Sequence, residues 1–125
     1  MSTLRVGIAG YDEMKELTMA IARGRRRLGP KGPKVWFPST ESFAKVLSAA
    51  NRDLLRTIAV KRPGSLDELA ALTGRRKSNL SRTLKTMENY GLVRLERGVR
   101  GRIAARVVYE RIELELPLMG KGHAA

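Results

Sequence analysis

Arg75, Arg76, Lys77, Arg82, Lys85, Arg94, Arg97, Arg100, Arg102 and Arg106 face only two acids, Glu88 and Glu96, in the same stretch of chain. Cations this dense do the chemistry of binding rather than of bond-making. Ammonium and guanidinium groups hold phosphate oxygens, while a guanidinium fork, a hydroxyl or an amide can read a base edge. Ser78, Asn79 and Arg82, in the first turns of an expected helix, have the types and position for base edges. Arg75, Arg76, Lys77 and Lys85 suit phosphates. Arg97, Arg100 and Arg102 would lie on or near a hairpin tip, within reach of phosphates or a narrow minor groove. Each residue taken alone reads equally as an ordinary solvated side chain, and charge on a hairpin can simply guard its edge. The cluster as a whole carries the reading.

The elements that would position these groups follow from local signals. Ser65 and Glu68 have the spacing of a capping box, which predicts a helix through Leu66, Leu69 and Ala70. Gly74 ends it. A small residue at Ala70, a permissive backbone at Gly74 and an aliphatic side chain at Leu80 suit a close helix crossing. A second helix is predicted from about Lys77 to Tyr90, stopped by Gly91. At about 100° per residue, Leu80, Leu84 and Met87 share one stripe, and Ser78, Arg82, Lys85 and Asn89 the opposite one. Upstream, Ser39 or Thr40 caps a single helix carrying Phe43, Val46, Leu47, Ala50, Leu54 and Ile58, ended by Lys61–Gly64. Downstream, strands over about 92–97 and 102–109 flank a turn at Gly98–Gly101. Ile112, Leu114 and Leu116 alternate with Glu113 and Glu115 in a third piece, which Pro117 ends.

Ahead of this block, Leu4, Val6 and Ile8 alternate with Arg5 and Gly7 as in a strand. A helix with a Met14, Leu17, Ile21 and Leu28 stripe follows, then a basic Pro/Gly loop, then Val35, Trp36 and Phe37. Acids at Asp12, Glu13 and Glu16 and arginines at 23 and 25–27 suit that helix's dipole. The expected fold class is α+β: a winged helix-turn-helix over 39–117, preceded by a strand-helix-strand extension over 1–38 and followed by a tail at 118–125. The loop GPKGPK at 29–34, with the RGRRR at 23–27 before it, reads equally as a second DNA-contacting arm or as solvated chain. Trp36 and Phe37 read as core or dimer interface.

Composition narrows the function. A net charge of +13 and a pI near 11.1 favour a polyanionic partner, nucleic acid first, with an anionic membrane surface or a merely basic soluble protein as alternatives. Absence of cysteine removes disulfides, thiolate nucleophiles and cysteine-bound zinc. No apolar run approaches a membrane span, and the start lacks a signal-peptide pattern, so a cytoplasmic location is expected. His123 stands alone, and the acid pairs Asp12–Glu13 and Glu113–Glu115 have no partner base, nucleophile or metal-ligand set. No catalytic function, cofactor or metal is expected.

The segment TGRRKSNLSRTLKTMENYGLVRLE, Thr73 to Glu96, resembles the second helix and wing start of MarR-like winged-helix regulators. The matching features are a Ser-rich polar helix start at Ser78 and Ser81, then Arg82, Leu84 and Gly91-Leu92-Val93. The resemblance adds Ser81 to the expected DNA-binding residues. A closer similarity is to small predicted DNA-binding proteins of bacteria and haloarchaea, carried by the Val35–Ser48 junction and the closing Tyr109–Leu116. Some of that group resemble antitoxins paired with TumE-type toxins. MarR proteins dimerise through long terminal helices. No helical stretch follows Leu116 here, so the N-terminal unit is the expected dimer surface.

Three functions follow as expectations. The first is a sequence-specific double-stranded DNA-binding regulator, a homodimeric repressor on an inverted repeat. The second is an antitoxin that covers a partner toxin and autoregulates its operon. The third is a non-specific nucleic-acid binder, since charge alone gives salt-sensitive affinity for any polyanion.

Overall fold

The computed structural model describes residues 2–24 and 32–118, apart from the Leu17 side chain. Residues 25–31, with the loop arginines, Leu28 and the first half of GPKGPK, and the tail with His123 lie outside the described residues. The fold is α+β. Its elements are β1 (Thr3–Ile8), α1 (Tyr11–Ala22), β2 (Val35–Phe37), α2 (Thr40–Val46), α3 (Ala49–Lys61), α4 (Leu66–Thr73), α5 (Lys77–Asn89), β3 (Val93–Arg97), β4 (Ile103–Val107) and β5 (Arg111–Glu115).

A three-stranded parallel sheet in the order β2-β1-β5 joins the two ends of the described chain. Val6 lies opposite Val35 on one side and Leu114 on the other, and Leu4 lies opposite Ile112. The alternation seen in the sequence sorts the faces of β1: Leu4 and Val6 are buried, while Arg5 is exposed and pairs with Glu113 at 3.3 Å. Gly7 lies opposite Trp36, whose ring covers it so closely that a Cβ there would stand 2.6 Å from Cε3. Only glycine lets the indole lie on β1.

The structure departs from the sequence expectations between Phe43 and Ile58. The helix predicted through Phe43 to Ile58 is broken into α2 and α3. Ser48 accepts a hydrogen bond from the Asn51 N–H at 3.2 Å, and the Asn51 side-chain amide donates to the Val46 carbonyl at 3.0 Å. A cap that satisfies the start of one helix and the end of the previous one replaces the hydrogen bonds that continuity would have made. β1 is the central strand of its sheet, with β2 on one side and β5 on the other.

The extension and the helices share one core. Leu4, Val6 and Phe37 belong to the same buried cluster as Leu54, Ile58, Leu69, Leu80, Leu84 and Met87. Phe37, fully buried, stacks on Tyr90 at 4.0 Å between ring centroids and meets the edge of Phe43 at 5.2 Å. These ring pairs fasten β2 to the end of α5 and to α2.

The α4–α5 pair forms as its local signals require. Ser65 accepts from the Glu68 N–H at 3.1 Å, and the Glu68 carboxylate accepts from the Gly64 N–H at 2.8 Å, one residue earlier than in a strict capping box. Gly74 takes φ +74° and Gly91 φ +77°, the left-handed conformation that ends each helix with little cost in glycine. The hairpin that follows pairs β3 with β4 antiparallel, Val93 opposite Val107 and Arg97 opposite Ile103.

Candidate nucleic-acid interface

Helix α5 is built from two unlike faces. Leu80, Leu84 and Met87 are fully buried, whereas Ser78, Asn79, Ser81, Arg82, Lys85 and Asn89 are exposed. Its N-cap, Arg76, makes no side-chain cap bond, in contrast to the serines that cap α2, α3 and α4. No acid occupies its first turn. Free N–H groups and the positive end of the helix dipole therefore meet exposed Arg76, Ser78 and Asn79, an arrangement that attracts an anion.

The hairpin stands beside this helix. A cleft of about 280 Å³ has Ser81 and Lys85 on its α5 wall and Arg97 and Ile103 on its hairpin wall, with Leu66 and Leu84 among its apolar lining. Glu88 also lines it, one acid beside the two cations. At the tip, the Gly98 N–H donates to the Arg102 carbonyl at 2.7 Å, and Arg100 adopts φ +62°. The turn thus projects exposed Arg100 and Arg102 away from the core.

The cations divide into two groups that the sequence does not separate. Arg75 donates to Asn51 Oδ1 at 3.0 Å and to the Ala50 carbonyl at 2.9 Å, which ties the α4–α5 turn to the start of α3. Arg106 donates to the Pro63 carbonyl at 2.9 Å and anchors β4 to the α3–α4 loop. Lys77 pairs with Asp67 at 3.2 Å, and Arg94 with Glu96 at 2.7 Å. Arg76, Arg82, Lys85, Arg97, Arg100 and Arg102 make no ion pair or side-chain hydrogen bond with any described residue. Their charge is available to a partner.

Glu96 titrates below the ordinary glutamate range, chiefly because Arg94 donates hydrogen bonds to its carboxylate, with Arg106 and Arg62 adding attraction. For a lowered carboxyl pKa, the stabilising pairing is complete above the ordinary value and is lost as pH falls through the lowered one.

Asn51 was not legible as a site residue, because an asparagine off the apolar stripe looks like solvated surface; its position three after Ser48 was the one local hint. Among the described residues no group of His, Cys, Asp and Glu is placed to hold a metal ion. No helix of the described residues is long and apolar enough to cross a membrane.

The helices and hairpin that carry these groups coincide with a recognised family pattern: the chain belongs to the HVO_A0114 family, whose model residues 46–114 match. That span runs from the end of α2 into β5 and covers α3, α4, α5 and the hairpin entire. No curated protein and no solved structure matches the chain.

Proposed function

We propose that this protein is a sequence-specific double-stranded DNA-binding regulator of the winged helix-turn-helix type, acting as a dimeric repressor. In this reading α3, α4 and α5 are the three helices, α5 enters the major groove, and the β3–β4 hairpin is the wing. The observation that carries it is the set of cations without a partner among the described residues, Arg82 and Lys85 on α5 and Arg97, Arg100 and Arg102 on the hairpin, beside the buried face formed by Leu80, Leu84 and Met87. A helix fits the major groove, and arginine and asparagine at its N-terminal turns match guanine and adenine edges. The hairpin arginines match phosphates or a narrow minor groove.

The test is selection from a random duplex library followed by footprinting of the enriched sequence. An inverted repeat with half-site centres about 10–10.5 bp apart, or a multiple, is expected for a symmetric dimer. Equal competition by every unrelated duplex would reduce the protein to a charge-driven binder and overturn sequence-specific regulation.

A further inference from the structure

We propose that a second copy of this chain docks on the free edge of β5, the two strands pairing antiparallel about a twofold axis at Glu113. The inference deepens the dimeric reading above and rests on it. Four observations support the interface. First, among the described residues β5 is an edge strand of the parallel sheet, so its outward N–H and C=O groups form a row ready for another strand.

Second, the strand is complementary to itself. Antiparallel pairing about Glu113 sets Arg111 opposite Glu115 of the second copy, and Ile112 opposite its Leu114. An edge protected by one sign of charge repels its own copy. This one attracts it, in this orientation only, since parallel in-register pairing would put like charges together. The two Glu113 carboxylates that meet at the axis are each already held, by Arg5 at 3.3 Å and Arg111 at 3.5 Å.

Third, a hollow of about 1090 Å³ lies beside β5, lined by Leu55, Ile112 and Leu114 and also by Arg52, Arg56 and Arg62. Leu114 in β5 is 38% exposed, and Val108 before the strand and Leu116 after it are 40% and 48% exposed, apolar surface near the strand for a second copy to cover. Fourth, this hollow shares no lining residue with the cleft beside α5, so its closure leaves the proposed DNA face open.

Charge reversal tests the pairing. Glu115→Arg alone would oppose Arg to Arg111, and Arg111→Glu alone would oppose Glu to Glu115, twice per dimer in each case. Each variant should dimerise at least about tenfold more weakly than the parent by sedimentation at micromolar concentration. An equimolar mixture of the two should restore dimers, because both cross-strand pairs become opposite again. Circular dichroism of each variant checks folding, and restored dimers in the mixture cannot come from unfolded chains. A parent that is dimeric while both variants remain dimeric, or variants whose mixture stays monomeric, would overturn the β5 interface and leave DNA binding intact. A monomeric parent would overturn the interface and the dimeric reading together, with library selection still deciding DNA recognition separately.

Discussion

Arg75 places its guanidinium 3.0 Å from the Oδ1 of Asn51, while the amide of the same asparagine donates to the Val46 carbonyl. One asparagine thus links the end of α2, the start of α3 and the turn before α5. The arginine expected to hold a phosphate also ties the turn before α5 to the start of α3.

Arg75→Ala should therefore lower stability, by about 1–3 kcal/mol for lost hydrogen bonds to a charged group at a half-buried site. Arg76→Ala should leave stability within about 0.5 kcal/mol, as an exposed cation without a described partner. Urea denaturation of the two variants checks this. Equal midpoints would show that the Arg75–Asn51 bond contributes nothing to the fold.

Leu84→Ala should cost about 2–5 kcal/mol, because the side chain is fully buried among core residues. The adjacent Lys85→Ala should be almost neutral for stability and should weaken duplex binding. Thermal melts paired with DNA titration separate the two outcomes; a destabilised Lys85→Ala would contradict the assignment of faces on α5.

Arg82→Ala and Arg100→Ala should weaken DNA binding in different ways. Loss of Arg82 should cost about 1–3 kcal/mol on the selected sequence and relax preference at one base pair per half-site. Loss of Arg100 should weaken selected and random duplexes alike and reduce the log–log salt slope by about 0.9 for each phosphate left without its cation. Titration of both at several salt concentrations checks this, and full discrimination by Arg82→Ala with loss in Arg100→Ala would reverse the two roles.

Gly7→Ala should destabilise the sheet by about 1–3 kcal/mol, because the new methyl group would overlap the Trp36 ring. Trp36→Ala in the same chain should recover part of that loss by removing the obstacle. Additive losses in the double variant, measured by thermal melts, would show that the close approach of Gly7 and Trp36 does not cause the effect.

Much of the fold was legible because its signals act over a single turn of chain. The Ser65–Glu68 cap, the stops at Gly74 and Gly91, the Leu80–Leu84–Met87 stripe and the hairpin around Gly98–Gly101 each depend on neighbours within a few residues. The break at Ser48 was also local, but the apolar spacing from Phe43 to Ile58 continued through it and masked the cap. The exposed face of α5 with Ser78, Arg82, Lys85 and Asn89 followed from the same periodicity, and Asn79 from its place in the first turn of the helix.

The sequence by itself determined where most of the helices start and stop, which face of α5 is core, and that the molecule carries a large excess of positive charge. Only the tertiary structure decided that β5 pairs with β1 rather than extending the hairpin. It also decided that Arg75 and Arg106 serve the frame while Arg82 and Lys85 stay open. The physical reason is range. Helical periodicity and capping are written in adjacent residues, whereas strand partners and hydrogen-bond partners depend on which distant segments the closing of a common core brings together.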